Sequence, residues 1–436
     1  MTTTAPRPAA PAPATAGHTA PEPAAAGQAD TCPAAAGHAP AFPFDTEPGP
    51  PLEVPQEFTR LRDRCPVQRV RLPYGGEGYL VSRYADVKQV LADRRFSRAA
   101  TVGKDVPRTV REVTAPGHLL AMDPPEHTRL RRLVAAAFTE RSIQRRRPRI
   151  QQIVDDLVDG LRARAAGGEA VDLVAHFSMP LPMTVICELL GVPPGDRHYF
   201  QRVAEVAFSN GAVDPQEMQQ VGEAFGTYLT GHIARLRERP GDDLMSQMIA
   251  ARDEDQDRLT EAELISLAGT LLLAGYETTA AEISNFVYTL LEHDRWSWLV
   301  DHPEHLDTAV EELLRYIALG GGDVLPRLAT EDIDVGGTVL PEGASVIAAM
   351  ISANRDEHVF TDPDVLDLER SPNPHVAFGH GPHHCTGAQL ARLELRVALA
   401  SLLRAFPALR LAVPAAQVPW RQGSLVRGPR QLLLRW

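Results

Sequence analysis

The sequence predicts a mainly α-helical fold with small β-sheets, of the α+β class, and three observations carry that prediction. From about residue 120 to residue 320, apolar residues return at three- and four-residue intervals, the period of packed helices. Before and after that region lie short alternating runs bounded by glycine and proline, as in β-hairpins. The chain has 436 residues, 44% of them hydrophobic, which is ample for a large core.

Residues 1–41 are dominated by Ala, Pro, Thr and Gly and have no apolar run behind a basic start. They are expected to form a disordered extension, neither signal peptide nor anchor. Residues 42–436 are expected to form one domain. Gln68, Val70 and Leu72 alternate up to the turn Pro73-Tyr74-Gly75-Gly76, and Tyr79-Leu80-Val81 follows, which predicts a hairpin. A helix is expected from Tyr84 to Ala92. The longest helical pattern starts at Glu261 and ends near Leu291, so a central helix of roughly 40 Å is expected. Strands are expected over residues 332–335, 338–340 and 345–350, with turns at Gly336-Gly337 and Pro341-Glu342-Gly343. This gives a helical body with small sheets at both ends.

No stretch approaches the about 20 apolar residues of a membrane span. Four cysteines, at positions 32, 65, 187 and 385, show neither disulfide-module nor zinc-module spacing, which fits a reducing cytoplasm. Arg141, Arg145, Arg146, Arg147 and Arg149 form a basic run in a chain of net charge −12. A nucleic-acid patch is one reading of such a run and a solvated helix face is another.

The most informative residues are Phe378-Gly379-His380-Gly381-Pro382-His383-His384-Cys385-Thr386-Gly387. Glycine in such a loop lets the backbone approach a flat ligand where a Cβ would collide. The following residues, from Ala388 to Leu395, read as a helix, so Cys385 sits just ahead of a helix N-terminus. Such a position favours an anion, hence thiolate over thiol. His380, His383, His384 and Cys385 could also be taken for a zinc cluster, but structural zinc is served by ligand pairs at separated spacings, and glycines around one cysteine have no use there.

The loop resembles the signature of the cytochrome P450 family, Phe-Gly-x-Gly-x-His-x-Cys-x-Gly, at all fixed positions: Phe378, Gly379, Gly381, His383, Cys385 and Gly387. The resemblance implies haem b (iron protoporphyrin IX) as cofactor, Cys385 as the axial iron ligand, and Phe378 and Gly387 among the cofactor contacts. Within the central helix, Ala274-Gly275-Tyr276-Glu277-Thr278-Thr279 interrupts an apolar run. The Thr278 hydroxyl is within reach of the carbonyl four residues earlier, a bond that tends to bend a helix. The hexapeptide resembles the oxygen-activation motif of the same family, which implies that Thr278 positions a proton donor and Glu277 connects it to solvent. Tyr276 is expected to pack in the core.

His127 and Arg131 lie four apart on one predicted helix face. Arginine suits bidentate pairing with carboxylates, and the resemblance makes this pair, together with Arg327 and His383, partners of the haem propionates. It also makes Glu312, Arg315 and Arg355 a buried structural network. Part of the basic run is then a landing face for an acidic ferredoxin, with electrons supplied through a ferredoxin reductase, since no flavin or nicotinamide fingerprint is present. O2 and a small organic molecule, of secondary-metabolite type, are the implied substrates; no nucleic acid and no membrane are implied. Substrate contacts are expected from residues 98–118, 208–215, 271–278, 319–325 and 424–426, where Gly320-Gly321-Gly322 leaves room for a bulky molecule. Oxidative coupling or desaturation without oxygen insertion is the alternative within the enzymes, and a non-catalytic haem sensor the alternative outside them.

Overall fold

The computed structural model describes residues 1, 39–44, 52–111, 113–114, 116–209, 213–255, 259–320 and 325–436. Most of the expected N-terminal extension, together with Gly321 and Gly322, lies outside the described residues.

One helix organises the rest. Glu261–Glu292 spans 32 residues without interruption and starts at a capping box in which Thr260 and Glu263 satisfy each other's backbone N–H groups. At about 1.5 Å per residue it is about 48 Å long. From Ala280 to Leu290 every residue is buried, the mark of a helix that runs through a core and has no solvent face. Helices Pro180–Leu189 and Ala388–Ala405 pack against it. By length and hydropathy this helix passes the test for a membrane span, contrary to the sequence expectation, but its apolar surface is spent inside the protein.

The sheets depart from the expected pair of separate ends. The N-terminal hairpin, Val67–Arg71 with Glu77–Val81, takes three later strands into one five-stranded sheet. Ser345–Ala348 joins it in parallel on Glu77–Val81, and Arg327–Ala329 and then Phe96–Ser97 continue it antiparallel. The reason is burial: all four residues of Ser345–Ala348 are buried, so the strand needs a partner on each edge and cover on each face. Arg327–Ala329 and Phe96–Ser97 are too short to show alternation, and sequence reading missed them. A three-stranded sheet of Val171–Asp172, Leu433–Arg435 and Arg410–Leu411 was missed for the same reason. Ile333–Val335 and Thr338–Leu340 pair as expected across their glycine turn. Cys187 and Cys385 carry free thiols, whereas Cys65 is disulfide-bonded, which the cysteine spacing did not anticipate.

A buried ion network fixes the segment leading into the Cys385 loop. In helix Leu306–Tyr316, Arg315 makes two 2.7 Å bonds to Glu312, and both side chains are fully buried. Glu312 also accepts from the Asp367 N–H, Arg370 and Asn373, and Arg315 donates to the carbonyls of Asn354 and Pro363. Arg355 does not touch Glu312; it shares the Pro363 carbonyl, pairs with Asp364 and lies 3.9 Å from the Tyr316 ring centre. Next to this network, Glu311 accepts from His375 at 3.0 Å and from Arg392 at 2.8 Å. Burial raises the Glu311 carboxyl, but those two partners outweigh it and bring the group down to about 2.

Two outcomes follow. Glu312→Gln leaves Arg315 buried without its countercharge and is expected to cost about 3–5 kcal/mol in chemical denaturation. Glu311→Gln is expected to flatten one part of the stability profile against pH. The native group stays ionised below the ordinary carboxylate range, so its contribution is complete above about pH 4.5 and is lost as pH falls toward about 2. Denaturation midpoints across that window should fall less steeply in the variant.

Candidate active site

The loop around Cys385 is closed by its own backbone. The Cys385 N–H donates to Phe378 O at 2.8 Å, Gly379 N–H to Val376 O at 2.8 Å and His384 N–H to Gly381 O at 3.0 Å. Gly379 and Gly381 have φ of +74° and +71°, and a Cβ at Gly381 would stand 2.6 Å from the Leu91 carbonyl oxygen, so glycine is required there. From across the fold, Arg131 on helix Glu126–Ala135 donates to Pro382 O at 2.6 Å and to His384 O. Arg392, on the helix that follows the loop, lies 4.5 Å from the Phe378 ring centre.

Cys385 has accessible surface, yet its thiol is pushed up by burial. The two observations agree if the sulfur borders a space inside the protein. A hydrogen bond from Gly387 and the charges of Arg131 and Arg392 act in the opposite direction without winning. The local pull toward thiolate is present, as expected, but desolvation is the larger effect, and a bound cation would favour the thiolate further.

Histidine and arginine side chains gather beside the loop. His127 is buried, with its ring centre 4.2 Å from that of His383. Burial and the charges of Arg131 and Arg98 bring the His127 imidazole down to about 4. Arg327 is buried in its strand, and the pairing of Ser97 with Leu328 brings Arg98 alongside it. The sequence placed Arg98 only at the start of an expected substrate segment, because what brings it beside Arg327 is a two-residue strand and not a motif.

The central helix is continuous through Ala274–Thr279, so the expected interruption does not break it. The Thr278 hydroxyl does donate to Ala274 O, at 2.8 Å. Ala274 is exposed, and Leu273, Gly275 and Thr278 are half-buried, just ahead of the stretch from Thr279 to Leu290 in which every residue is buried. Gly275 serves packing: a Cβ there would meet Ile186 at 3.1 Å. Tyr276 is buried as expected, and burial raises its phenol. Glu277 is 3% exposed; its Oε1 is bound by Arg421, and its Oε2 is buried with no hydrogen-bond partner. Arg421 was also missed in the sequence, since it lies 144 residues from its partner.

Three of the expected substrate segments meet at one hairpin. Ser209 bridges Ser424 and Gly320 bridges Val426, while residues 210–212 and 321–324 lie outside the described residues. Arg141, Arg145 and Arg147 of the basic run are exposed on helix Glu140–Arg164, and Arg149 pairs with Glu188 at 2.7 Å.

These residues fit an iron porphyrin. An accessible cysteine surrounded by protein offers one soft ligand, Arg131, Arg98 and Arg327 offer charge and His127 a neutral donor for two carboxylates, and the uncovered stretch at Ala274 and Thr278 offers an opposite wall.

The comparisons agree with this geometry. Residues 54–196 and 300–432 match the family described as Cytochrome P450. The chain is 51% identical over 388 residues to nocardicin C N-oxygenase of Nocardia uniformis subsp. tsuyamanensis, covering 88% of this chain and 96% of the relative. It is 46% identical over 397 residues to mycinamicin IV hydroxylase/epoxidase of Micromonospora griseorubida, covering 91% and 98%. The crystal structure of the LnmA cytochrome P450 hydroxylase from the leinamycin pathway of Streptomyces atroolivaceus superposes with a TM-score of 0.84 at 47% identity, over 91% of this chain and all of that one. With about half of the aligned residues identical to one named member and its fold shared with another, the chain belongs to the cytochrome P450 family.

Proposed function

We propose that this monooxygenase binds haem b through Cys385, manages protons through Glu277 and Thr278, takes electrons from a ferredoxin and its reductase in the cytoplasm, and hydroxylates or epoxidises a secondary metabolite. The observation that carries the reading is the pairing of two surfaces left accessible within a packed interior, one at Cys385 and one at Ala274 and Thr278. We take them as the two walls of one slot.

When bound, thiolate-ligated haem supplies the dioxygen chemistry. Cys385 is the ligand, and Arg131 positions its loop by holding the carbonyls of Pro382 and His384, which precede it. His127, Arg131, Arg327 and His383 hold the propionates, and Phe378, clamped by Arg392, and Gly387 line the proximal side. A neutral His127 donates through one ring nitrogen without adding a cation to a cluster that already holds Arg98 and Arg131.

Thr278 has committed its hydroxyl hydrogen to Ala274 O, so its oxygen lone pairs are free to accept a bond from a water or another proton-bearing partner in the slot. Glu277, on the same helical turn, has one oxygen fixed by Arg421 and the other free to receive that water. A carboxylate and a hydroxyl one residue apart thus hold a proton path by general acid catalysis. The relatives named for N-oxygenation, hydroxylation and epoxidation of natural products support the substrate class.

Cys385→Ala is expected to abolish the red-shifted Soret band of the ferrous carbon-monoxide complex, whereas a wild type without that band overturns the ligand assignment. Thr278→Ala is expected to keep the band and to release several-fold more peroxide per NADPH. Unchanged coupling of electrons to product removes Thr278 from the proton path.

A further inference from the structure

The loop ahead of helix Glu126–Ala135 carries a histidine that neither the proton path nor the propionate cluster uses. His118 opens the turn Leu119–Ala121, and its carbonyl accepts from the Ala121 N–H at 2.8 Å. Leu119 and Ala121 are buried, and the turn packs against the central helix. Arg98 donates to Leu120 O at 3.2 Å, so the turn is tied to the same arginine that the two-residue strand brings beside Arg327. The backbone that presents His118 is therefore fixed from two sides.

The imidazole reaches the central helix at Thr270. Its Nε2 lies 3.4 Å from the Thr270 hydroxyl, and that hydroxyl donates its own hydrogen to Ser266 O at 2.7 Å. Thr270 is left with lone pairs alone to offer, so the contact is a hydrogen bond only if His118 Nε2 carries the proton. Burial lowers the imidazole, and at neutral pH the ring then holds a single N–H, which leaves Nδ1 as an acceptor. Nδ1 has no hydrogen-bond partner among the described residues.

The ring borders the same space as Thr278. Ser266, Thr270, Ala274 and Thr278 stand four apart on one helix face, and all of them keep accessible surface while Leu267, Ala268, Leu271 and Leu272 are buried. His118 also has accessible surface although burial depresses its imidazole, the combination already seen at Cys385. Thr270 lies just over two turns before Thr278, about 12 Å along the helix.

We propose that His118 is a specificity-determining residue whose Nδ1 accepts a hydrogen bond from a hydroxyl or amine of the substrate, about 12 Å along the central helix from Thr278, and that Thr270 is the positioning residue that fixes its tautomer. The proposal rests on the reading of Cys385 and the stretch at Ala274 and Thr278 as the two walls of the haem slot. A molecule without such a donor buries Nδ1 unsatisfied, and that penalty is the source of the selectivity.

The test uses the haem-loaded full chain and N-alkylimidazoles with chains from butyl to decyl, ended either in methyl or in hydroxyl. Their free azole nitrogen ligates the iron and shifts the Soret band, which reads binding without turnover. In wild type, the longer hydroxyl-ended probes are expected to bind about three- to tenfold tighter than methyl-ended probes of equal length, and the butyl pair equally. His118→Phe is expected to abolish that preference, Thr270→Val to weaken it and Thr270→Ser to retain it. Nitrogen NMR of histidine-labelled protein, with His118 assigned by its absence in His118→Phe, is expected to place the proton on Nε2. Equal binding of the two series at every length in wild type overturns the proposal, as does a preference that survives His118→Phe. A proton on Nδ1, or a full preference in Thr270→Val, overturns the positioning role. A wild type in which no probe shifts the Soret band sinks the haem reading itself, whereas a shift without preference sinks this proposal alone.

Discussion

The structure depends on presenting one sulfur atom inside a protein while leaving it reachable. A thiol surrounded by protein is pushed toward its neutral form, and three local features oppose this without overcoming it: the Gly387 N–H and the charges of Arg131 and Arg392. The loop therefore carries groups that favour an anion, while burial opposes it. The remainder falls to a bound metal cation, and in P450s that cation is the haem iron. Such a design ties the loop's electrostatics to cofactor binding.

That requirement propagates outward. The sulfur is held in place by elements far apart in sequence, with Arg131 on an early helix binding carbonyls more than 250 residues later. Behind the loop, Glu311, His375 and Arg392 connect it to helix Leu306–Tyr316, and Glu312, Arg315 and Arg370 fix the stretch that precedes it. Buried ion pairs of this kind are weak devices for stability against apolar packing, but they are directional. Direction is what a loop of glycines and histidines lacks by itself.

The central helix meets an opposing demand. It must be apolar to cross the core, yet it carries Glu277, Thr278 and Glu282. Glu282 is fully enclosed, and burial raises its carboxyl well above the ordinary range. Glu277 differs because Arg421 reaches it from the C-terminal hairpin, so the two acids, five residues apart on one helix, have different surroundings.

The sequence by itself determined the helical class, the span of the central helix, the N-terminal hairpin and the identity of the Cys385 loop. These are local: periodicity, caps and glycine spacing are written in neighbouring residues. The sequence could also place Thr278 on its backbone partner, since that bond joins residues four apart. Only the tertiary structure decided what depends on distant segments. It merged the hairpin with Ser345–Ala348 in one sheet, brought Arg98 beside Arg327 through a two-residue strand, raised the Cys385 thiol against the expected pull of the helix N-terminus, and gave Glu277 its partner in Arg421. Burial and long-range ion pairs arise from the packing of the whole chain, and no short stretch of residues encodes them.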